Sequence, residues 1–143
     1  MAKIPEYLWD HINNAYPKNV CLISTVLPDG FAQVSPRGSV VVYDPDTLAY
    51  WTLGSGSIRD TLQDGAKVTV FFRDPELPEQ GILAPRGGAR FFGTASLHAS
   101  GEVRDRVWEL QGAAIRGRDP DGQGSAVLVR IERSEDLAHQ PLE

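Results

Sequence analysis

Four runs rich in β-branched and apolar residues follow one another between Val20 and Thr52: Val20–Val26, Phe31–Ser35, Ser39–Tyr43 and Thr47–Thr52. The links between them are only three or four residues long. Parallel neighbours need a crossover of a dozen residues or more, so links this short force an antiparallel meander. The links also carry turn chemistry. Leu27-Pro28-Asp29-Gly30 ends in a residue free to take a positive φ, and Asp44-Pro45-Asp46 makes a second turn.

Three later runs extend the pattern to seven strands: Lys67–Phe72, Ala89–Leu97 and Ser125–Ile131. Gly93, inside the sixth, marks a bulge or a close backbone approach. Helical spacing is confined to short pieces. Pro5 to about Ala15 reads as one helix, ended by Pro17; Ile58–Gln63 reads as another, with Ser57 as its cap and Gly65 as its stop. Gly101–Leu110 makes a third, with Val103, Val107 and Leu110 on one face. Asp74–Gly88 is a loop rich in Pro and Gly, Gly117–Gly124 is a polar loop, and Ser134–Glu143 reads as a loosely held tail. Many short strands, few helices and dense turns predict a mainly β fold, a small closed or split antiparallel barrel. At 143 residues with no internal linker, the chain is expected to form a single domain over residues 1–143.

Charge and cysteine content narrow the function. Nineteen acidic against fourteen basic residues give a net charge of -5, which argues against a broad surface for nucleic acid or an anionic membrane. Eleven of the fourteen cations are Arg, so local basic pockets are still expected. The single Cys21 excludes an intrachain disulfide and thiolate zinc sites, and His11, His98 and His139 show no ligand spacing, so no metal site is expected. The N-terminus lacks the apolar core of a secretory signal, and the longest apolar stretch, near Val20–Leu27, is too short to span a membrane. A cytoplasmic location is the expectation. No GxxxxGK loop, HExxH or GxSxG motif occurs, and Gly54-Ser55-Gly56-Ser57 does not extend to a dinucleotide fingerprint.

Three stretches carry chemistry. Gly54–Arg59 delivers Ser57 and Arg59 to a helix start, where backbone N–H groups, a hydroxyl and a guanidinium make a cradle for a phosphate; a capped helix with a surface Arg would read the same way. Ser35-Pro36-Arg37-Gly38 lies between two strands. Because Pro36 cannot donate to a central ladder, this stretch is expected to be an irregular edge with accessible backbone and Arg37 beside it. Its alternative is a plain turn with a solvated Arg. The aromatic strands Tyr50-Trp51, Phe71-Phe72 and Phe91-Phe92 read as core or subunit interface, since one Phe of each pair must point out of the barrel.

Taken in order, these pieces resemble the pyridoxamine 5′-phosphate oxidase-like family, the FMN-binding split β-barrels. The resemblance rests on the strand ending in a DG turn (Val20–Gly30), the Ser35–Gly38 break, Trp51-Thr52, Ser57–Arg59, the VTVFFRDP strand (Val68–Pro75) and the RFFGTA strand (Arg90–Ala95). It covers roughly Pro5 to Ile131. It implies a homodimer with FMN at the subunit interface, acting in hydride transfer to or from a small molecule. Thr52, Ser57 and Arg59 would hold the phosphate; Ser35, Arg37 and Gly38 would line the flavin edge, and Trp51 would flank the site. The Asp74–Gly88 loop would serve as a lid.

Two departures from the family pattern follow. Ile58 interrupts the expected run of basic residues, so either phosphate affinity is weaker or the missing charge comes from Arg37 or Arg90. No counterpart of an Arg- and His-bearing substrate segment follows the last strand, which points away from vitamin B6 oxidation. A deazaflavin coenzyme is the alternative cofactor on the same fold. A non-catalytic flavin or haem carrier, with His98 or His139 as haem ligand, is the alternative role.

Overall fold

The computed structural model describes residues 3–53 and 62–143. A short 3₁₀ turn, Glu6–Leu8, runs into helix α1 (Trp9–Asn13). Strands β1 (Cys21–Val26), β2 (Ala32–Arg37), β3 (Val41–Asp44) and β4 (Thr47–Thr52) follow. Next come β5 (Lys67–Arg73), a 3₁₀ turn at Leu77–Gln80, β6 (Gly88–His98), helices α2 (Glu102–Leu110) and α3 (Ala113–Arg118), and β7 (Ser125–Asp136). All seven strands join one antiparallel sheet in the order β2-β1-β5-β6-β7-β4-β3.

The order itself dictates the shape. β2 and β3 occupy opposite edges, yet only Gly38, Ser39 and Val40 separate them along the chain. Six strand spacings of about 4.8 Å would put the edges of a flat sheet about 29 Å apart. Four Cα–Cα steps of about 3.8 Å span at most about 15 Å. The sheet must therefore curl until its edges meet, and the chain, with no ladder between β2 and β3, closes the seam. This is a split antiparallel barrel.

Its interior is the main core. Ile23, Val68, Val70, Phe72, Phe91, Val127 and Val129 are all within 5% of full burial, and Ile4, Leu8 and Ile12 from the N-terminal turns pack into the same cluster. Burying side chains of this size is worth roughly 1.5–3 kcal/mol each. β4 is buried along its whole length because both faces are covered. Leu48 and Tyr50 join the main core, while Ala49 and Trp51 meet Val107 of α2 and Ile115 of α3 in a second cluster. As strand alternation requires, Phe72 and Phe91 are buried while Phe71 and Phe92 are only half-buried. The outward Phe92 is capped within this chain by the Arg133 guanidinium, 3.9 Å from its ring. Among the described residues the most exposed large apolar side chains lie elsewhere: Phe31, Val26 and Val34 on the β1–β2 hairpin, and Leu53 after β4.

Several boundaries differ from expectation. The N-terminal helix shrinks to one α-turn after the 3₁₀ start. β2 stays regular through Pro36 and Arg37, paired with Leu22 and Cys21, because an edge strand has no second neighbour needing the missing N–H; the break begins at Gly38. Part of the expected polar loop is helical, since α3 runs to Arg118. The expected loose tail is instead held. β7 continues past Ile131 to Asp136, pairing Arg133, Ser134, Glu135 and Asp136 with Phe92, Phe91, Arg90 and Ala89. The chain then folds back, with Leu142 N–H donating to Ser134 O at 3.2 Å and Ser134 Oγ to Lys3 O at 2.6 Å. A backbone ladder needs no apolar side chains, so hydrophobicity alone ends the strand too early. The Asp74–Gly88 loop is anchored by Leu77 and Leu83 in the core. Most of the helix expected at Ile58–Gln63 lies outside the described residues. No helix among the described residues is long and apolar enough to cross a membrane.

Gly93 sits at the register shift between β6 and β7, where an added Cβ would lie 2.3 Å from Arg130 O. Gly93→Ala is expected to lower stability by about 1–3 kcal/mol through overpacking. Gly117→Ala, in α3 with no atom within 4 Å of the new Cβ, is expected to raise it by about 0.5–1 kcal/mol. Urea midpoints of the two variants check this; equal shifts would contradict it.

Candidate functional site

The seam between the two sheet edges holds a cleft of about 100 Å³. Pro36, Arg37, Gly38 and Ser39 form one wall, Trp51 and Leu53 at the end of β4 another, and Ile115 and Arg118 of α3 the third. Ser39 pins the link to β4: its Oγ donates to Trp51 O at 3.1 Å and accepts from Trp51 N–H at 3.0 Å, replacing the missing ladder. Gln111 Nε2 donates to Ser39 O at 3.1 Å and ties the link to the end of α2. Gly38 is required by close approach. A Cβ there would lie 2.4 Å from the Tyr16 ring, which packs against the link.

Trp51 is a fixed wall. Its indole N–H donates to Asp119 Oδ2 at 2.9 Å, its ring lies 4.9 Å from that of Trp108, and the Arg104 guanidinium sits 4.9 Å over it. Asp119 also accepts from the N–H groups of Gln123, at 3.0 Å, and Gly124, at 2.8 Å. Burial opposes its charge, but the Trp51, Gln123 and Gly124 hydrogen bonds and nearby Arg104 more than offset this and hold the carboxyl below the usual carboxylate range.

The electrostatics of the cleft come from Arg37 and Arg118. The Arg37 guanidinium lies 5.4 Å from the Tyr50 ring, whose phenol is pushed up to about 12 by burial, with Arg37 working in the opposite direction. Arg118 donates to Tyr16 Oη at 2.5 Å. Among the described residues neither guanidinium has a carboxylate partner. Two cations without counter-ions on one concave surface are suited to an anion.

Arg37, Gly38 and Trp51 are thus brought together as expected. Ser35 faces the same side of β2 as Arg37 and lines a small adjoining groove with Thr25, Gln33 and Tyr50. Thr52 is buried opposite Ser125 on β7. Ser57 and Arg59 lie outside the described residues; the segment bearing them leaves β4 at Leu53, which lines the cleft. Arg90 does not lend its charge here, since it faces Glu135 at 4.0 Å and is not among the lining residues. His98 and His139 are engaged by Ser96 and Glu135 and do not line the cleft either. Ser39, Ile115 and Arg118 escaped the sequence reading. The last two belong to a helix that local pattern does not mark, and nothing in the run Ile115-Arg116-Gly117-Arg118 reveals that it folds back over β4.

Residues 9–137 match the family described as pyridoxamine 5′-phosphate oxidase. No curated protein matches. Among solved structures, HupZ of Group A Streptococcus is 23% identical, with 98% of each chain covered and a TM-score of 0.70. A pyridoxamine 5′-phosphate oxidase-related, FMN-binding protein of Nostoc punctiforme is 14% identical over 92% of this chain and 81% of its own, with a TM-score of 0.65. An F420 reductase is 13% identical over 92% of this chain and 98% of its own, at 0.60. At these identities the likeness speaks to the fold.

The Asp119 clasp has a pH signature. A folded-state pKa below the unfolded one gives stabilisation that is complete above the ordinary carboxylate value of about 3.9 and is lost as pH falls through the folded value. Asp119→Asn is expected to cost about 1–3 kcal/mol at neutral pH, and its deficit against the parent protein should shrink below about pH 4. Urea unfolding followed by tryptophan fluorescence across pH measures this. A deficit that stays constant with pH would remove the charge from the explanation.

Proposed function

The chain belongs to the pyridoxamine 5′-phosphate oxidase family, and from that premise we propose that it is a flavoprotein oxidoreductase that holds FMN in the seam cleft. The observation that carries this reading is the pair Arg37 and Arg118, without carboxylate partners among the described residues, both lining one cleft. A dianionic phosphate at Arg118, with the ring edge at Arg37, meets this charge, and each charge-assisted hydrogen bond is worth about 1.5–3 kcal/mol.

Of the residues expected to hold the group, Arg37, Gly38 and Trp51 line the cleft, Thr52 is buried on β4, and Ser57 and Arg59 lie outside the described residues. In this reading Arg118 takes the place of the base that Ile58 displaces, and acts with Thr52, Ser57 and Arg59 on the phosphate. Ser35, Arg37 and Gly38 line the ring edge, where the accessible backbone of the link can meet a heterocycle. Trp51, locked by Asp119, keeps the wall rigid so that binding does not have to order it. Bound flavin supplies the hydride chemistry. The chain's own tasks are to grip the phosphate, orient the ring and exclude water.

The cleft is smaller than the roughly 300–1,000 Å³ usual for ligand sites. This supports a homodimer in which a second copy completes the pocket, and sedimentation of the purified protein should then give twice the mass of one chain. The substrate is a small molecule. The likeness to an F420 reductase favours a deazaflavin coenzyme as the second reading, and the net charge of -5 weighs against a long polyanionic coenzyme tail.

Flavin-free protein titrated with FMN and with riboflavin tests the phosphate grip. FMN is expected to bind at least tenfold more tightly than riboflavin. Arg118→Ala should weaken FMN by about 10- to 100-fold, in line with the loss of one charged hydrogen bond, while leaving riboflavin nearly unchanged, whereas Arg37→Ala, at the ring edge, should weaken both flavins. Equal affinity for the two flavins, or no binding of either, would overturn the reading.

A further inference from the structure

A second, larger cavity of about 430 Å³ adjoins the seam cleft and shares Gly38 and Ile115 with it. Its volume falls in the range of small-molecule sites, which the seam cleft does not reach alone. The character of its walls is different. Val40, Val41, Leu110 and Ala114 give it an apolar lining, and no Asp, Glu, Lys, Arg or His is among the described residues around it.

Its polar side chains are the amides of Asn13, Asn14 and Gln111 and the Tyr16 hydroxyl; Asn13 Oδ1 accepts from Val42 N–H at 2.8 Å. Asn14 Nδ2 donates to Asp10 O at 2.8 Å and Gln111 Nε2 to Ser39 O at 3.1 Å, so both side chains are tethered to the fold. Each tether uses one donor, which leaves the second N–H and the carbonyl oxygen of each amide for an occupant. Gln111 is 95% buried by its 5% exposure, so it is held in place before anything binds. Between the two spaces stands Tyr16, packed on Gly38 and bonded through its hydroxyl to Arg118, the cation of the neighbouring cleft.

We propose that this cavity is the site of the second reactant, and that it takes an uncharged organic molecule with a ring-sized apolar body and carbonyl or hydroxyl groups. The reason is segregation of charge. The cations of the seam lie in the cleft beside it, and this cavity offers no ionised partner to repay the desolvation of a phosphate or carboxylate. An apolar ring gains from the aliphatic walls, and its carbonyl or hydroxyl groups pair with the tethered amides. Its role as a substrate site rests on the flavin reading, but its preference for a neutral ligand does not.

The test uses the flavin-free and the FMN-loaded protein with two fluorescent probes, a neutral methoxycoumarin and the phosphate ester of the matching hydroxycoumarin, read by anisotropy. The neutral probe is expected to bind at least tenfold more tightly than the ester when FMN fills the seam cleft. Ala114→Trp, which fills the cavity, should weaken the neutral probe tenfold or more and change FMN affinity by less than twofold. Leu110→Lys, which brings a cation to the wall, should reverse the preference towards the ester. Retained FMN binding, or the unchanged far-ultraviolet spectrum of a variant, reports that it is folded. Preference for the ester in the parent protein, or neutral-probe binding indifferent to both substitutions, would overturn the proposal. Neutral-probe binding that responds as expected in a protein that takes up no FMN would sink the flavin reading and leave this one standing.

Discussion

The three residues Gly38, Ser39 and Val40 constrain everything else. They join the two edges of a seven-stranded sheet across a distance that a flat sheet could not allow. The barrel must therefore close without a complete hydrogen-bonded ladder, and the backbone groups along the seam need other partners. Ser39 supplies two of them from its hydroxyl and Gln111 a third. Each such bond is worth only about 1 kcal/mol net, but leaving a buried donor or acceptor unpaired would cost more. The exposed pairs Lys18–Glu76 and Lys67–Glu132 contribute little by comparison, being open to water and salt. The seam is held by the buried core on one side and by these few polar contacts on the other.

A barrel closed in this way has an irregular corner by construction, and the corner is where ligand chemistry becomes available. Regular strands use their N–H and C=O groups on each other; the link between β2 and β3 does not. The second hydrophobic cluster gives the corner its walls. α2 and α3 lie over the outer face of β4, burying Trp51 and carrying Arg118 to the cleft mouth. Asp119, the residue after α3, clasps the Trp51 indole and the Gln123 and Gly124 backbone. One carboxylate thus couples the helical cover to the strand beneath it. Rigidity on that side of the cleft is a product of core packing and needs no help from a ligand.

Much of this was legible in the sequence, and the part that was not has a physical reason. Short links between β-branched runs exclude parallel neighbours, and strands β1, β4, β5 and β6 lie within a residue or two of their expected limits. The continuous meander expected from Val20 to Thr52 is broken at Gly38–Val40, where β2 and β3 part to opposite edges of the sheet. Gly93 was legible too, as a residue whose missing side chain makes room for β7 at a register shift. The extension of β7 to Asp136 was hidden because Glu132, Arg133 and Glu135 break the apolar pattern while the backbone ladder runs on. α3 was hidden because a six-residue helix with a glycine near its end has almost no intrinsic preference; it exists because Ile115 buries its side chain against β4. Arg37, Gly38 and Trp51 could be picked from a local motif. Arg118 could not, since only the tertiary fold brings it to the same cleft as Arg37.

That last point bears on the departure at Ile58. A phosphate grip depends on where positive charge sits in space and is indifferent to which segment supplies it, because Coulomb interaction at a given distance and dielectric takes no account of sequence. A family pattern that expects adjacent bases in one segment reads Ile58 as a loss. In the proposed site that charge would come instead from the Arg118 guanidinium of α3, a helix that packs against β4. Tyr16 then gives Arg118 a hydroxyl partner and an aromatic face 5.4 Å away, which orients the charge without neutralising it. A carboxylate in that place would have consumed the charge, whereas a phenol leaves it free to meet an anion while marking the boundary with an uncharged cavity next door.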